Sequence, residues 1–207
     1  MVDTQKKGVL ILVAGPSGSG KDTLIAAARR ALAADPGFVF PLRFITRADQ
    51  CGEEHIYVSP DDFETLRRAG LFFLHWEAHR LNYGIPASVA EDLKAGRAVI
   101  FNISRRMIPK ARELWQPTHA VAISVEAGVL RERLRGRGRE TEAEIEERVR
   151  RASEVRIEGP YTALDNSGLL DEAIARFIAH LTRLKTGDVT EAVAAEQFEN
   201  AAAFRLA

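Results

Sequence analysis

Residues 10 to 23 read LILVAGPSGSGKDT, an apolar run that stops in a glycine-rich turn closed by Gly20, Lys21, Asp22 and Thr23. No other stretch limits the choice of fold as sharply. Residues 8 to 14 are apolar and rich in Val, Leu and Ile, the composition of a strand buried on both faces of a parallel sheet. From Lys21 to about Ala34 the apolar spacing becomes helical. Strand, glycine turn and helix together open an α/β fold. The glycines allow backbone N–H groups to face an anion, the helix adds the positive end of its dipole, and Lys21 can reach the β and γ phosphates of a nucleotide. Gly15, Pro16, Ser17, Gly18, Ser19, Gly20, Lys21, Asp22 and Thr23 are therefore the candidate polyphosphate-binding residues. The pattern G-x-x-x-x-G-K-[ST] fails by one position, because Asp22 follows the lysine and the hydroxyl arrives at Thr23. An ordinary glycine turn could also open a helix with an acid on its first turn. The strand before the turn and the lysine after it favour the phosphate reading.

Further apolar segments extend the pattern. FVFPLRFIT (38 to 46) reads as a second strand, with Pro41 pushing part of it to an edge or a bend. RAVIFNIS (97 to 104) and THAVAISVE (118 to 126) read as central strands followed by helices, and residues 162 to 181 as a last α/β unit. Two polar segments interrupt this alternation. Residues 44 to 84 form an inserted lobe with a helix start at Ser59, Pro60 and Asp62, a capping-box spacing. Residues 131 to 152 are charged, with Gly136 and Gly138 expected to break one helix and Thr141 with Glu144 to cap the next, the make-up of a lid. The resulting division is a single domain over 1–183, with core 1–43, 85–130 and 153–183, lobe 44–84, lid 131–152, and an Ala/Glu-rich extension over 184–207.

Charge balance removes some function classes. Lys plus Arg and Asp plus Glu both total 29, so no global basic field draws the chain to nucleic acid or to an anionic membrane. The one cysteine, Cys51, has no internal disulfide partner, and the apolar stretch near the start is too short for a signal peptide. A cytoplasmic protein acting on small molecules is the expectation, with a second copy of the chain as the macromolecular partner left open.

The one-residue gap between lysine and threonine resembles the nucleoside monophosphate kinases, and about 175 residues follow the order of their guanylate kinase branch. FITR resembles the segment that binds the acceptor phosphate, with Arg47 as its arginine, and NYGIP resembles the Tyr-Gly that closes this pocket, with Tyr83. RERLRGRGRE with IEERVRRA resembles the lid, with Arg133, Arg137 and Arg148 on the phosphate-contacting positions and Arg139 in the same signature. LDNSGLLDEA resembles the segment beside the adenine, with Asn166 at the contacting position. The resemblance implies a P-loop fold of the monophosphate kinase type, a parallel sheet with helices on both faces, using ATP and Mg²⁺. Thr23, with Asp22 acting through water, would direct the metal.

The departures narrow the acceptor. Asp49 and Gln50 stand where guanylate kinases carry Pro-Arg, His55 replaces a tyrosine, His75 replaces the guanine-reading glutamate, and Asn102 and Ser104 replace an acidic pair. A site without acceptors for the guanine N–H groups binds guanine poorly. Arg43, Arg47, His55, Arg105 and Arg106 gather in or beside the same segments, which suits an acceptor with two phosphates. The combination RFITR, EEHI, HWEAHRLNYG, FNISRR and RGRE is similar to the ribose 1,5-bisphosphate phosphokinases, a guanylate-kinase-like family of bacterial phosphonate degradation that makes 5-phosphoribosyl 1-diphosphate. Ile103 departs from it, where glycine is expected. The acceptor-binding residues implied are Arg43, Arg47, His55, His75, Tyr83, Asn102, Ser104 and Arg105, with Lys21, Arg133, Arg137 and Arg148 carrying the transfer.

Plainer readings stand beside these. Glu144 with Arg148, Glu146 with Arg150 and Glu147 with Arg151 have the spacing of exposed helical ion pairs. His75 and His79 flank Trp76 and could equally be packed core histidines. A nucleotide kinase, or an inactive interaction module that keeps the glycine turn as a relic, remain the alternative functions.

Overall fold

The computed structural model describes residues 7–48, 54–138, 140–154 and 157–187 of the 207. Asp49, Gln50, Cys51, Arg139 and the extension from 188 onward lie outside the described residues. Leu10–Ala14 form β1, with all five residues buried. Ile11 and Val13 point into an apolar layer with Leu24, Phe177 and Leu181, whereas Leu10, Leu12 and Ala14 point into a second layer with Leu93, Phe101 and Ile108. Alternation between two apolar layers is the reason the strand reads as an unbroken apolar run. The chain leaves through Gly20, whose φ of 83° is left-handed, and enters α1 (Lys21–Ala31).

The expected strand over 38–46 is two short strands in two different sheets. β2 (Phe38–Val39) is an edge of the main sheet, and β3 (Phe44–Ile45) belongs to a smaller one. Pro41 lies between them, where its missing N–H breaks no ladder. Next come β4 (Ile56–Tyr57) and α2 (Pro60–Arg68). Ser59 caps α2, its Oγ accepting from the Asp62 amide at 3.1 Å. β5 (Phe72–Ala78) and β6 (Leu81–Pro86) form an antiparallel hairpin, turning at His79 and Arg80 with φ of 52° and 62°. The smaller sheet has the order β4-β3-β6-β5.

The chain returns to the core through α3 (Val89–Lys94), β7 (Ala98–Asn102), a 3₁₀ turn at Arg105–Met107, α4 (Ile108–Leu114) and β8 (Thr118–Ser124). After β8 come α5 (Ala127–Arg137), α6 (Glu142–Glu154), β9 (Thr162–Asp165) and α7 (Leu170–Thr186). The main sheet is parallel throughout, in the order β2-β7-β1-β8-β9. α1 and α7 cover one face, and α3 and α4 cover the other together with Leu74, Trp76 and Ile85 of the hairpin. Ile103 continues the ladder, its amide donating to the Val13 carbonyl at 3.0 Å, and its side chain is buried where glycine was expected. No helix among the described residues is long and apolar enough to cross a membrane.

α5 and α6 pack through a small cluster of their own, Leu130, Leu134 and Ile145. α5 runs through Gly136 and ends at Gly138, so only the second of the two glycines expected to break it does so. Thr141 and Glu144 cap α6 reciprocally: the Glu144 carboxylate accepts from the Thr141 amide at 2.8 Å, and Thr141 Oγ1 accepts from the Glu144 amide at 3.4 Å. The expected spacing of ion pairs is partly replaced. Glu147 pairs with both Arg150 and Arg151, while Glu146 pairs across the two helices with Arg131. α7 continues to Thr186, with Leu184 buried, past the expected boundary at 183.

On α7, His180 is 9% exposed and its Nε2 has no hydrogen-bond partner among the described residues. Burial, helped by the charges of Arg183 and His119, pushes its pKa down to about 4. An unfolded histidine takes its proton near pH 6.5. The unfolded chain therefore binds more protons between these values, and stability falls as the pH is lowered through that window. His180→Leu should flatten this part of the profile by about 2 kcal/mol. The check is urea unfolding at pH 7 and pH 4.5 for both proteins, and an equal pH effect in the two would contradict the assignment.

Candidate active site

The turn after β1 is surrounded by polar atoms that lack partners. Ser19 Oγ, Asn166 Oδ1 and Arg133 Nη1 are all buried without a hydrogen bond among the described residues. Asn166, just past the end of β9, is 1% exposed, and its Nδ2 donates to the Ser19 carbonyl at 2.7 Å. A Cβ on Gly20 would come within 2.4 Å of that Nδ2 and 3.9 Å of Arg133 Nη1. Glycine is thus required at this point by packing as well as by its positive φ. Lys21 Nζ donates to the Pro16 carbonyl at 3.3 Å, lying back along the turn. Arg148 Nη1 donates to Ser17 Oγ at 3.0 Å, and its Nη2 lies 3.2 Å from Glu140. Each helix of the α5–α6 pair therefore brings an arginine to the turn, Arg133 from α5 and Arg148 from α6. Arg137 is exposed in the last turn of α5. The orphaned Ser19 hydroxyl and Arg133 guanidinium, converging on a helix N-terminus, form a site for a polyanion, while Asn166 Oδ1 can only accept from a donor.

A second group lies beside it. Asn102, the last residue of β7, is 8% exposed and donates from Nδ2 to Asp22 Oδ1 at 2.6 Å. Arg43 Nη1 donates to the Asn102 carbonyl at 3.3 Å. The Arg43 guanidinium also lies 5.3 Å from the centre of the Tyr83 ring, which stacks on Trp76 with centroids 5.3 Å apart and planes 6° from parallel. Arg43, Asn102 and Asp22 line a cleft of about 400 Å³ between α1, β7 and the chain leading into β3. Asp22, which follows Lys21 in the first turn of α1, marks one end of the lining along that helix.

The other expected residues are distributed around this centre. His55 is 3% exposed and its Nε2 lies 2.8 Å from the Arg47 carbonyl, so the imidazole supports the chain at Arg47. Ser104 caps the 3₁₀ turn through its backbone, its carbonyl accepting from the Met107 amide at 2.8 Å. Arg105 Nη1 donates to the Ala152 carbonyl of α6 at 3.4 Å, and burial holds its pKa below the usual arginine value. This links β7 to the α5–α6 pair rather than lining the cleft. His75 is exposed on β5, with its ring 6.3 Å from Phe72, and His79 is exposed at the hairpin turn, so neither is a packed core histidine. Thr23 is exposed on the first turn of α1.

No three His, Cys, Asp or Glu side chains converge to hold a metal among the described residues. Magnesium at a nucleotide site needs only one or two protein oxygens beside phosphate and water. The Asp22 carboxylate at the mouth of the turn fits that requirement. Two cleft residues were assigned no role from the sequence: Arg29, seven residues after Asp22 on α1 and in no motif, and Glu54 of the EEHI segment, which pairs with it at 2.5 Å. The i, i+7 spacing puts Arg29 on the same face of α1 as Asp22, a sequence signal that goes unused without a reason to choose that face.

A model of the guanylate kinase family matches residues 7–182. A ribose 1,5-bisphosphate phosphokinase of Thiobacillus denitrificans is 42% identical over 178 residues, covering 85% of this chain and 94% of the relative. One from Rhodopseudomonas palustris is 46% identical over 145 residues, covering 70% and 75%. Among solved structures, a guanylate kinase from Anaplasma phagocytophilum is similar in fold, with a TM-score of 0.60 at 18% identity over 87% of this chain and 88% of that one.

The Asn102 contact yields a direct test. Asn102→Asp would set a second carboxylate 2.6 Å from Asp22, and two like charges so close favour a shared proton. The folded variant would then bind more protons than its unfolded chain above the ordinary carboxylate range. Its stability should be lower by about 2 kcal/mol at pH 8 and recover toward pH 5. Thermal unfolding across that range measures the effect; a variant as stable as the parent at pH 8 would refute it.

Proposed function

This chain belongs to the guanylate kinase family, and we propose that it is an ATP-dependent kinase that phosphorylates ribose 1,5-bisphosphate, giving 5-phosphoribosyl 1-diphosphate and ADP. The observation that carries the choice of acceptor is Asn102. An amide donating to Asp22 stands at the cleft where the guanylate kinase pattern has an acid, and it adds no negative charge facing a doubly phosphorylated sugar. The similarity to ribose 1,5-bisphosphate phosphokinases over most of the chain supports the same assignment.

The reaction is in-line transfer of the γ-phosphoryl group to an oxygen of the sugar's 1-phosphate. That oxygen is already ionised near neutral pH, so the transfer needs no general base. Positioning and neutralisation of charge on the transferring group dominate such reactions. Lys21 and the backbone N–H groups of the glycine turn hold the donor's phosphates. Arg133, Arg148 and Arg137 are the cations of the lid that stabilise charge on the equatorial oxygens and exclude water. Arg47, its carbonyl held by His55, binds the acceptor's reacting phosphate, and Arg43, which lies over the Tyr83 ring, is a further acceptor contact with Tyr83. His75 and Ser104 remain proposed outer contacts of the acceptor. Asn166 fixes the turn through Ser19 at the adenine side. Thr23, with Asp22 acting through water, would hold Mg²⁺, and the ion would supply further charge neutralisation when bound.

A panel of acceptors with ATP, followed by ³¹P NMR, tests the reading. Turnover is expected with ribose 1,5-bisphosphate, and efficient turnover of GMP with none of the bisphosphate would overturn it. Lys21→Ala should lower kcat by about a thousandfold; unchanged turnover would leave the inactive-module alternative standing. Arg47→Ala should raise the acceptor KM about tenfold or more with little change in the KM for ATP. Equal loss of both would put Arg47 elsewhere in the mechanism.

A further inference from the structure

The cleft has a direction. One end is marked by Asp22, directly after Lys21 of the glycine turn, where the donor's γ-phosphate would lie. Asp22, Ile25, Ala26 and Arg29 lie along one face of α1 and form a wall of the cleft. Seven residues of helix advance about 10 Å, so Arg29 stands at the end remote from the transfer. Its Nη1 pairs with the Glu54 carboxylate at 2.5 Å, and its Nε is buried without a hydrogen-bond partner among the described residues. Glu54 itself is two-thirds exposed, at 66%. The basic residues lining the cleft are Arg29 and Arg43, and the acids are Asp22 and Glu54.

A sugar that carries phosphate at both ends must satisfy two requirements here. Its reacting phosphate sits at the Asp22 end, and its second phosphate points along the cleft, away from the turn. We propose that Arg29 binds this second, non-reacting phosphate of the acceptor, and that Glu54 occupies the guanidinium in its place when the acceptor is absent. The proposal rests on the assignment of a sugar bisphosphate as acceptor. Arg29 presents a planar fork whose Nε and Nη2 edge can take two oxygens of one anion, as Arg131 does with Glu146 and Arg150 with Glu147. Glu54 is held through Nη1, outside that edge, and Nε has no partner among the described residues. A phosphate group can engage the Nε and Nη2 edge. An ion pair with so exposed a carboxylate contributes little to stability, so exchanging Glu54 for phosphate gives up little. No such cation is required for a nucleoside monophosphate, whose single phosphate is the reacting one.

Initial rates for the full-length enzyme and three variants test this, with inhibition by ribose 5-phosphate and by ribose 1-phosphate as probes of each end. Arg29→Ala should raise the KM for ribose 1,5-bisphosphate about tenfold to a hundredfold and leave the KM for ATP in place. It should weaken inhibition by ribose 5-phosphate by a similar factor, without affecting inhibition by ribose 1-phosphate. Arg29→Lys should restore part of the loss. Glu54→Gln should lower the bisphosphate KM severalfold. A KM that rises in Glu54→Gln as much as in Arg29→Ala would make the pair a structural strap and overturn the proposal. Equal weakening of both monophosphates in Arg29→Ala would overturn it as well. If the parent uses ribose 1,5-bisphosphate and Arg29→Ala does so with an unchanged KM, this inference falls while the activity stands. If the parent does not use it, both fall.

Discussion

The structure depends on how a strand with no exposed face comes to an end. β1 is enclosed between two apolar layers, so the backbone groups of the residues after it can find partners only at the C-terminal edge of the sheet. The turn uses the Ser19 amide internally, donating to the Pro16 carbonyl at 3.2 Å, and the helix that follows adds its dipole at the same point. What surrounds the turn is organised by the same shortage of partners. Asn166 reaches across from β9 to the Ser19 carbonyl, while Ser19 Oγ, Asn166 Oδ1 and Arg133 Nη1 remain unsatisfied. A protein tolerates several buried orphans in one place when a ligand completes them.

The charge pattern follows a consistent logic. Carboxylates that face the nucleotide end are held by donors, as Asp22 is by Asn102. Those of the α5–α6 pair are matched by arginines on the same or the adjacent helix, Glu147 by Arg150 and Arg151 and Glu146 by Arg131. Of the arginines that meet the turn, Arg133 takes no part in these pairs, and Arg148 keeps a contact with Glu140 at 3.2 Å. Net neutrality of the chain thus conceals a strong local separation of charge, which a global count cannot reveal.

Much of this was legible in the sequence, for identifiable reasons. β1, its turn and α1 are specified by contiguous residues, and so are the caps at Ser59 and at Thr141 with Glu144. The segment 38–46 misleads because both halves are apolar and only Pro41 marks the change from one sheet to the other. Gly136 misleads because a glycine inside a helix is tolerated where neighbouring side chains pack well, as Leu130 and Leu134 do here. His75 keeps an aromatic neighbourhood in sequence, yet strand alternation turns it outward between buried Leu74 and Trp76. Arg105 could be assigned to the acceptor from its place after β7, but its bond to the Ala152 carbonyl depends on a helix 47 residues away. The pairing of Arg29 with Glu54 was not legible, although EEHI was, because their meeting depends on where the smaller sheet folds back against α1.

The hairpin's packing sets how the molecule can open. Leu74, Trp76 and Ile85 share an apolar layer with Leu10, Leu12 and Phe101, so swinging the smaller sheet away would expose part of the main core to water. The α5–α6 pair carries its own cluster of Leu130, Leu134 and Ile145, and such a unit can shift with its interior intact. Leu130 reaches back to the turn, where a Cβ on Gly18 would come within 2.7 Å of its Cδ1. Opening the molecule at the α5–α6 pair, beside the turn, would therefore uncover less of the main core than opening it at the smaller sheet.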